Sequence, residues 1–464
     1  MHKILFSLAL LALPLGLVAQ KGSITPEMLA KFKQRSAESA AQRTVQNALI
    51  MGGIDALAAK PNTAQEQDTY FSNEAPSKGI TDQKSSGRCW LFTGLNVMRA
   101  HIIQENTQLK GFEFSQSYNS FYDQLEKANL FLQAIIDRAD KPMSEPTVEW
   151  LFKNPISDGG TFTGVQDIVS KYGAVPAEVM PESFNANNTS RMASILSLKL
   201  REYGLALRKA YAKGERGAKL QARKTEQLAT IYRILVACLG EPPTEFTWTM
   251  RAANGRPLST EKFTPQSFYR RFVGWDLISD YVMVMNDPSR PYHKTYTIDL
   301  DRHTYDGHNW TYLNLPIEEI KQMAIASIKD SVRMYYSCDV GKFYNRKTGI
   351  LSLQNFDYGS IFDTDFPMNK AERIQTFASA SSHAMTLCAV DLDAQGKPTK
   401  WKVENSWGPT NGVQGHLVMT DEWFDEYTFR LVVQRKYVPA ATLKLLEQKP
   451  TLLPAWDPLF KGEE

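Results

Sequence analysis

Gln83-Lys84-Ser85-Ser86-Gly87-Arg88-Cys89-Trp90-Leu91-Phe92-Thr93-Gly94-Leu95-Asn96-Val97-Met98 decides how this chain is read. A cysteine stands at the head of an apolar run whose pattern predicts a largely buried helix. Backbone N–H groups and the helix dipole favour an anion there, and a helix N-terminus is one of the few places that lowers a thiol's pKa. Cys89 is therefore a candidate nucleophile that needs a cation nearby, and two distant segments offer the missing groups. Ala380-Ser381-Ser382-His383-Ala384-Met385-Thr386-Leu387-Cys388 places His383 at the head of a strand-like run, after small residues. Trp401-Lys402-Val403-Glu404-Asn405-Ser406-Trp407-Gly408 reads as a strand ending in a glycine turn. Neighbouring strands of one sheet would set His383 beside Asn405, whose amide oxygen accepts the imidazole N–H and fixes its tautomer. Trp407 is expected to cover that bond against water.

A Cys-Trp pair in a buried helix, a histidine in an apolar strand and an Asn-Ser-Trp-Gly turn are each ordinary core features when met alone. Their order, Cys … His … Asn, with Gln83 six positions before Cys89, resembles that of papain-like cysteine peptidases. In that arrangement the Gln83 amide and the Cys89 backbone N–H form an oxyanion hole. Cys89 attacks a carbonyl, and His383 protonates the leaving amine and then activates water.

The wording of the motif, Gln83 through Phe92, resembles the bleomycin hydrolase/aminopeptidase C branch of that superfamily rather than papain itself. Phe114-Ser115-Gln116-Ser117-Tyr118, Ser157-Asp158-Gly159-Gly160, Lys171-Tyr172-Gly173-Ala174-Val175-Pro176, Cys338-Asp339-Val340-Gly341-Lys342 and Leu453-Pro454-Ala455-Trp456-Asp457-Pro458 are similar to the same family. The likeness runs from roughly residue 25 to the end. It implies an α+β papain-like fold, with a helical half, a β-barrel-like half and helical insertions. It also implies an aminopeptidase acting on peptides with a free N-terminus, assembled as a homohexameric ring, whose C-terminal tail lies in the cleft. Gly159 and Gly160 would let the substrate backbone approach closely. Glu464, with Glu463 and the terminal carboxylate, would face the substrate's ammonium. An endopeptidase, if this acidic tail fails to cap the cleft, and an idle peptide-binding ring are the alternatives. One departure is Thr161-Phe162, where the family carries Gln-Trp; it is expected to alter a subsite wall.

Members of that family are mostly cytosolic, but Met1-His2-Lys3 followed by the apolar run Ile4 to Ala19 reads as a secretory signal peptide. Export to a bacterial periplasm is expected. The formal charge is +3 over 464 residues, which argues against nucleic acid as the main partner. No later segment is apolar and long enough to cross a membrane. Four cysteines, Cys89, Cys238, Cys338 and Cys388, make no disulfide framework, and no Cys/His cluster has metal spacing, so neither metal nor cofactor is expected.

The chain divides, on this reading, into a leader (1–19), an N-terminal extension (20–80) and a helical half with the nucleophile (81–185). A helical hairpin insertion (186–260), a β-rich half with His383 and Asn405 (261–445) and a cleft-filling tail (446–464) follow. Thr25-Pro26-Glu27 is a helix start, with the helix expected to reach about residue 46. Between Lys199 and Lys224 the hairpin carries nine Lys/Arg against Glu202 and Glu215, which reads as a solvated basic face or a subunit contact.

Overall fold

Cys89–Glu105 is a 17-residue helix buried on every side from Cys89 to Ala100. An α-helix without a polar face belongs in an interior, and this one runs between the two halves of the protein. In this computed structural model residues 22–36, 39–109 and 111–459 are described; the expected leader 1–19 and Glu464 lie outside them. The helix packs on Gln116–Asp137, Phe162–Tyr172 and the strands that carry Tyr335 and His383. Gln116–Asp137 begins where the Ser115 hydroxyl accepts the Tyr118 N–H at 3.1 Å, a side-chain N-cap.

Residues 190–239 are the helices Ser190–Ala212 and Ala218–Leu239. They bury Leu196, Leu200 and Leu207, then Leu220, Ile231 and Leu235, against Gln116–Asp137. Part of the basic stretch is internal. Arg201 donates to the Phe152 carbonyl at 2.9 Å, Arg208 to the Arg138 carbonyl at 3.0 Å, and Lys224 to the Gln133 side chain at 2.7 Å. The arginines satisfy carbonyls that helix C-termini leave over, so the face is only in part a solvated one.

The other half is a twelve-stranded sheet. Its middle runs Tyr281–Met285, Thr428–Gln434, Met334–Cys338, His383–Leu392, Pro398–Glu404 and His416–Thr420. Met334–Cys338 is buried at all five positions, as a central strand covered on both faces requires. Register sets His383 opposite Cys338 and Thr386 opposite Glu404. The chain's end is partly sheet rather than free tail: Thr451–Leu453 pairs in parallel with Tyr296–Ile298, Asp457 pairs with Arg290, and Leu459 is buried. Phe460 and the residues after it lie outside the described set. Among the described residues no helix is long and apolar enough to cross a membrane.

The described residues before Lys60, with Tyr358–Thr364, form a separate compact unit. The helix expected from Pro26 to about residue 46 is two helices, Pro26–Arg35 and Ala40–Met51. Ser39 and Gln42 form a capping box that starts the second, a local start signal inside an otherwise helix-forming stretch.

Lys370 is a buried ammonium site in the larger unit. Its Nζ donates to the Asn286 side chain at 2.7 Å, the Asp425 carbonyl at 2.9 Å and the Thr428 carbonyl. Burial pushes its pKa down to about 7, against the pull of Glu426 and Asp425. Because the unfolded chain holds this proton up to the ordinary lysine range, stability rises with pH between about 7 and 10 on this group's account. Lys370→Met is expected to cost about 2–4 kcal/mol, since it leaves three buried acceptors unmet. The gap to wild type, measured by urea titration, should widen from pH 7 to pH 9; a gap that narrows would contradict a depressed pKa.

Candidate active site

The loop before Cys89 is pinned by charge. The Gly87 N–H donates to Asp158 at 2.8 Å, and Arg88, 1 % exposed, forks onto Glu182 at 2.7 and 3.2 Å. Bidentate pairing fixes direction as well as distance, so Cys89 enters the helix with a set orientation. As the helix's first residue its N–H has no intrahelical acceptor and its Sγ lies in the positive end of the dipole. The Sγ accepts the Ala384 N–H at 3.4 Å, which seats it beside His383.

His383 and Asn405 lie on neighbouring antiparallel strands or just past them. His383 Nε2 and Asn405 Oδ1 are 2.8 Å apart. The same Oδ1 accepts the Ser406 N–H at 2.8 Å, so the amide cannot turn without breaking two bonds. The Trp407 ring lies 4.6 Å from the His383 ring, tilted by 31°. Gln83 is stitched to the same loop, its N–H bonding the Ser406 carbonyl at 2.8 Å, while Asp82 bridges Trp407. Its side-chain Nε2 donates to the Ser86 carbonyl at 2.7 Å, which uses one of the two amide protons. Thr81, Asn96 of the Cys89 helix and Ser406 share a buried hydroxyl–amide network.

Gly159 and Gly160 are buried and follow Asp158, whose carbonyl accepts the Trp90 Nε1–H at 2.8 Å. The Gly159 carbonyl takes the Lys127 ammonium at 2.6 Å. Gly160 is glycine for a packing reason: a Cβ there would sit 2.4 Å from the His303 ring, and one at Gly164 2.3 Å from it. His303 gave no sequence signal, yet it is buried, stacks near Trp90 at 4.7 Å and bonds Asp123. The change at Thr161-Phe162 falls in the core and not on a subsite wall. Phe162 is 3 % exposed and packs its ring at 5.4 Å on both Tyr281 and Tyr335, because it opens a helix whose first turn faces inward.

Two further groups near the thiol escaped the sequence reading. Tyr335 and Arg430 are buried and both feel the charge of Cys89. Burial holds the Tyr335 phenol neutral far above its usual range. Arg430 lies 4.1 Å over Trp310 and donates to the Leu459 carbonyl at 2.9 Å. An arginine inside Phe429-Arg430-Leu431-Val432-Val433 was the available signal, since a buried strand seldom carries one without use. Among the described residues no disulfide joins Cys89, Cys238, Cys338 or Cys388; burial pushes the Cys388 thiol up to about 11.

A family model described as "Peptidase C1-like family" matches residues 23–460. The chain belongs to the Peptidase C1-like family. Within it the chain is 41 % identical to bleomycin hydrolase of Homo sapiens over 411 residues, 86 % of this chain and 90 % of that one. It is 36 % identical to aminopeptidase C of Lactobacillus delbrueckii subsp. lactis over 441 residues, 94 % of this chain and 98 % of that one. A crystal structure of PepW from Lactobacillus rhamnosis HN001 superposes with a TM-score of 0.91 at 37 % identity, covering 95 % of this chain and 99 % of that one. The papain-like architecture, helical half against β half with Cys89 between them, is the fold of this Peptidase C1-like protein.

Proposed function

We propose that this chain is a cysteine aminopeptidase working through Cys89, His383 and Asn405, with Gln83 as oxyanion donor. The observation that carries it is the 2.8 Å contact between His383 Nε2 and Asn405 Oδ1, made while the Cys89 Sγ rests on the next residue's N–H. With Nε2 committed to Asn405, Nδ1 is the ring atom for proton exchange with Cys89. The thiolate attacks the carbonyl carbon of the N-terminal residue. The oxyanion takes the Cys89 N–H and the second Gln83 Nε2 proton. The imidazolium passes its proton to the leaving amine, giving a thioester and a shortened peptide. Water, deprotonated by His383, then releases the free amino acid. The names of the relatives support the aminopeptidase reading. Export through residues 1–19, assembly as a homohexamer and recognition of the substrate ammonium by Glu464 belong to the same proposal and rest on the sequence.

The test compares free-amine and N-acetylated aminoacyl amides under reductant, with Cys89→Ala as control. Hydrolysis of the free-amine substrates alone is expected. Equal cleavage of the acetylated ones would mean an endopeptidase, and no Cys89-dependent turnover would mean a peptide-binding protein.

A further inference from the structure

A cavity of about 360 Å³ opens beside Gly159 and Gly160, walled by Phe131, Trp150 and Leu300 and by Asp301 and His303. Asp301 is 8 % exposed. Its carboxylate has no hydrogen bond or ion pair among the described residues, which is unusual, since a buried charge without a partner is costly. The nearby cations are otherwise engaged. Lys127 bonds Asp123 at 2.9 Å and the Ser157 and Gly159 carbonyls at 3.1 and 2.6 Å. His303 turns its Nδ1 to Asp123. Arg430 faces Trp310 and Leu459. Of the cavity's other cations, Arg201 bonds the Phe152 and Lys153 carbonyls, Lys153 pairs with Glu149 and Arg302 lies over Tyr305. Burial raises the Asp301 carboxyl to about 6, opposed by Arg430, His303 and Lys127.

The cavity and the reaction centre share neighbours. Gly160 touches Trp90, the residue after Cys89. Tyr335 and Arg430 each feel both Cys89 and Asp301. We propose that this cavity is a specificity subsite for a cationic side chain of the substrate's N-terminal residue, an ammonium or guanidinium that would form the direct ion pair Asp301 lacks among the described residues. The apolar wall formed by Phe131, Trp150 and Leu300 suits the methylene stem of such a side chain. The subsite rests on the aminopeptidase reading above and deepens it by naming a substrate class.

Arginine and citrulline amides of one fluorogenic amine differ by charge at nearly constant shape, and their kcat/KM ratio reads the subsite. Wild type is expected to favour arginine by at least about tenfold. Asp301→Asn should bring the ratio close to one by lowering arginine turnover far more than citrulline turnover, and a urea titration shows that the variant folds; Asp301→Ser serves should it not. A wild-type ratio near one, a ratio unchanged in Asp301→Asn, or a preference for a glutamate amide over both would overturn the proposal. Failure of the aminopeptidase reading looks different: neither amide is then turned over in a Cys89-dependent way. In that case calorimetric binding of arginine amide and citrulline amide to wild type and Asp301→Asn reads the subsite, and equal affinities overturn it.

Discussion

Cys89→Ala is expected to lower kcat/KM on a free-amine aminoacyl amide by about 10⁴-fold or more, with little change in stability. The activity loss follows from the chemistry. Without the thiolate there is no thioester, and water must attack an unactivated amide with only the oxyanion donors to help. The stability change is small because the hydrogen bond that the Sγ accepts from the Ala384 N–H, at 3.4 Å, is a long and weak one. Alanine keeps the helix-forming first position. The cavity left is one sulfur in size, so a cost of about 1–2 kcal/mol is in scale. His383→Ala should lose a similar factor, and the double variant no more than either single one, since the two groups act as a unit. Cys89→Ala retaining more than about 1 % of wild-type activity would sink the assignment of the nucleophile, because a missing nucleophile cannot be replaced by positioning.

The reaction centre was legible where a local signal carried its own physics. A thiol at the head of an all-apolar helix, and a histidine and an asparagine on runs that read as strands, each mark one wall of the cleft. Strand neighbours then bring His383 and Asn405 within 2.8 Å. The partners that hold these groups were not legible, because nothing local announces them. His303 reads as one of several scattered histidines until the fold sets it between Trp90, Gly160 and Asp123. Asp301 and Arg302 look like loop charges until burial separates their roles. Following Gly159-Gly160, Phe162 reads as part of a subsite wall. A helix beginning at Phe162 turns that ring into the core instead. The division at Lys60 has no local signal, because Tyr358–Thr364, far along the chain, completes the first unit. The capping box at Ser39 is a readable local signal that divides the stretch into two helices.

Glu404→Ala is expected to destabilise the protein by about 3–5 kcal/mol, the cost of leaving two buried guanidinium groups without a counter-charge. Glu404 is 1 % exposed and binds Arg99, 2 % exposed, with one oxygen and Arg333, 5 % exposed, with the other. Arg99 stands on the Cys89 helix and also donates to the Gly79 carbonyl at 3.1 Å. Arg333 leads into the Met334–Cys338 strand and donates to the Ala75 carbonyl at 2.9 Å. Glu404 is the residue before Asn405. The triad therefore ties the helix that carries the nucleophile to the strand that carries the histidine's partner, across a separation of 305 residues. A buried ion triad is rarely a net source of stability, since desolvating three charges offsets most of their attraction. Its value here lies in register: each arginine has two fixed acceptors, so the helix and the strand meet in one relative position. The two contributions separate in the triple variant Arg99→Met, Glu404→Leu, Arg333→Met. Guanidine titration should return most of the lost stability, because apolar side chains fill the volume without a desolvation cost. The kcat on a free-amine amide should stay about tenfold or more below wild type with KM little changed, as expected when the orientation of the reacting groups has loosened rather than substrate binding. A triple variant with both stability and kcat restored would leave the triad no part in positioning Asn405. One that recovers neither would mean that the charges themselves, and not the geometry they impose, hold the two halves together.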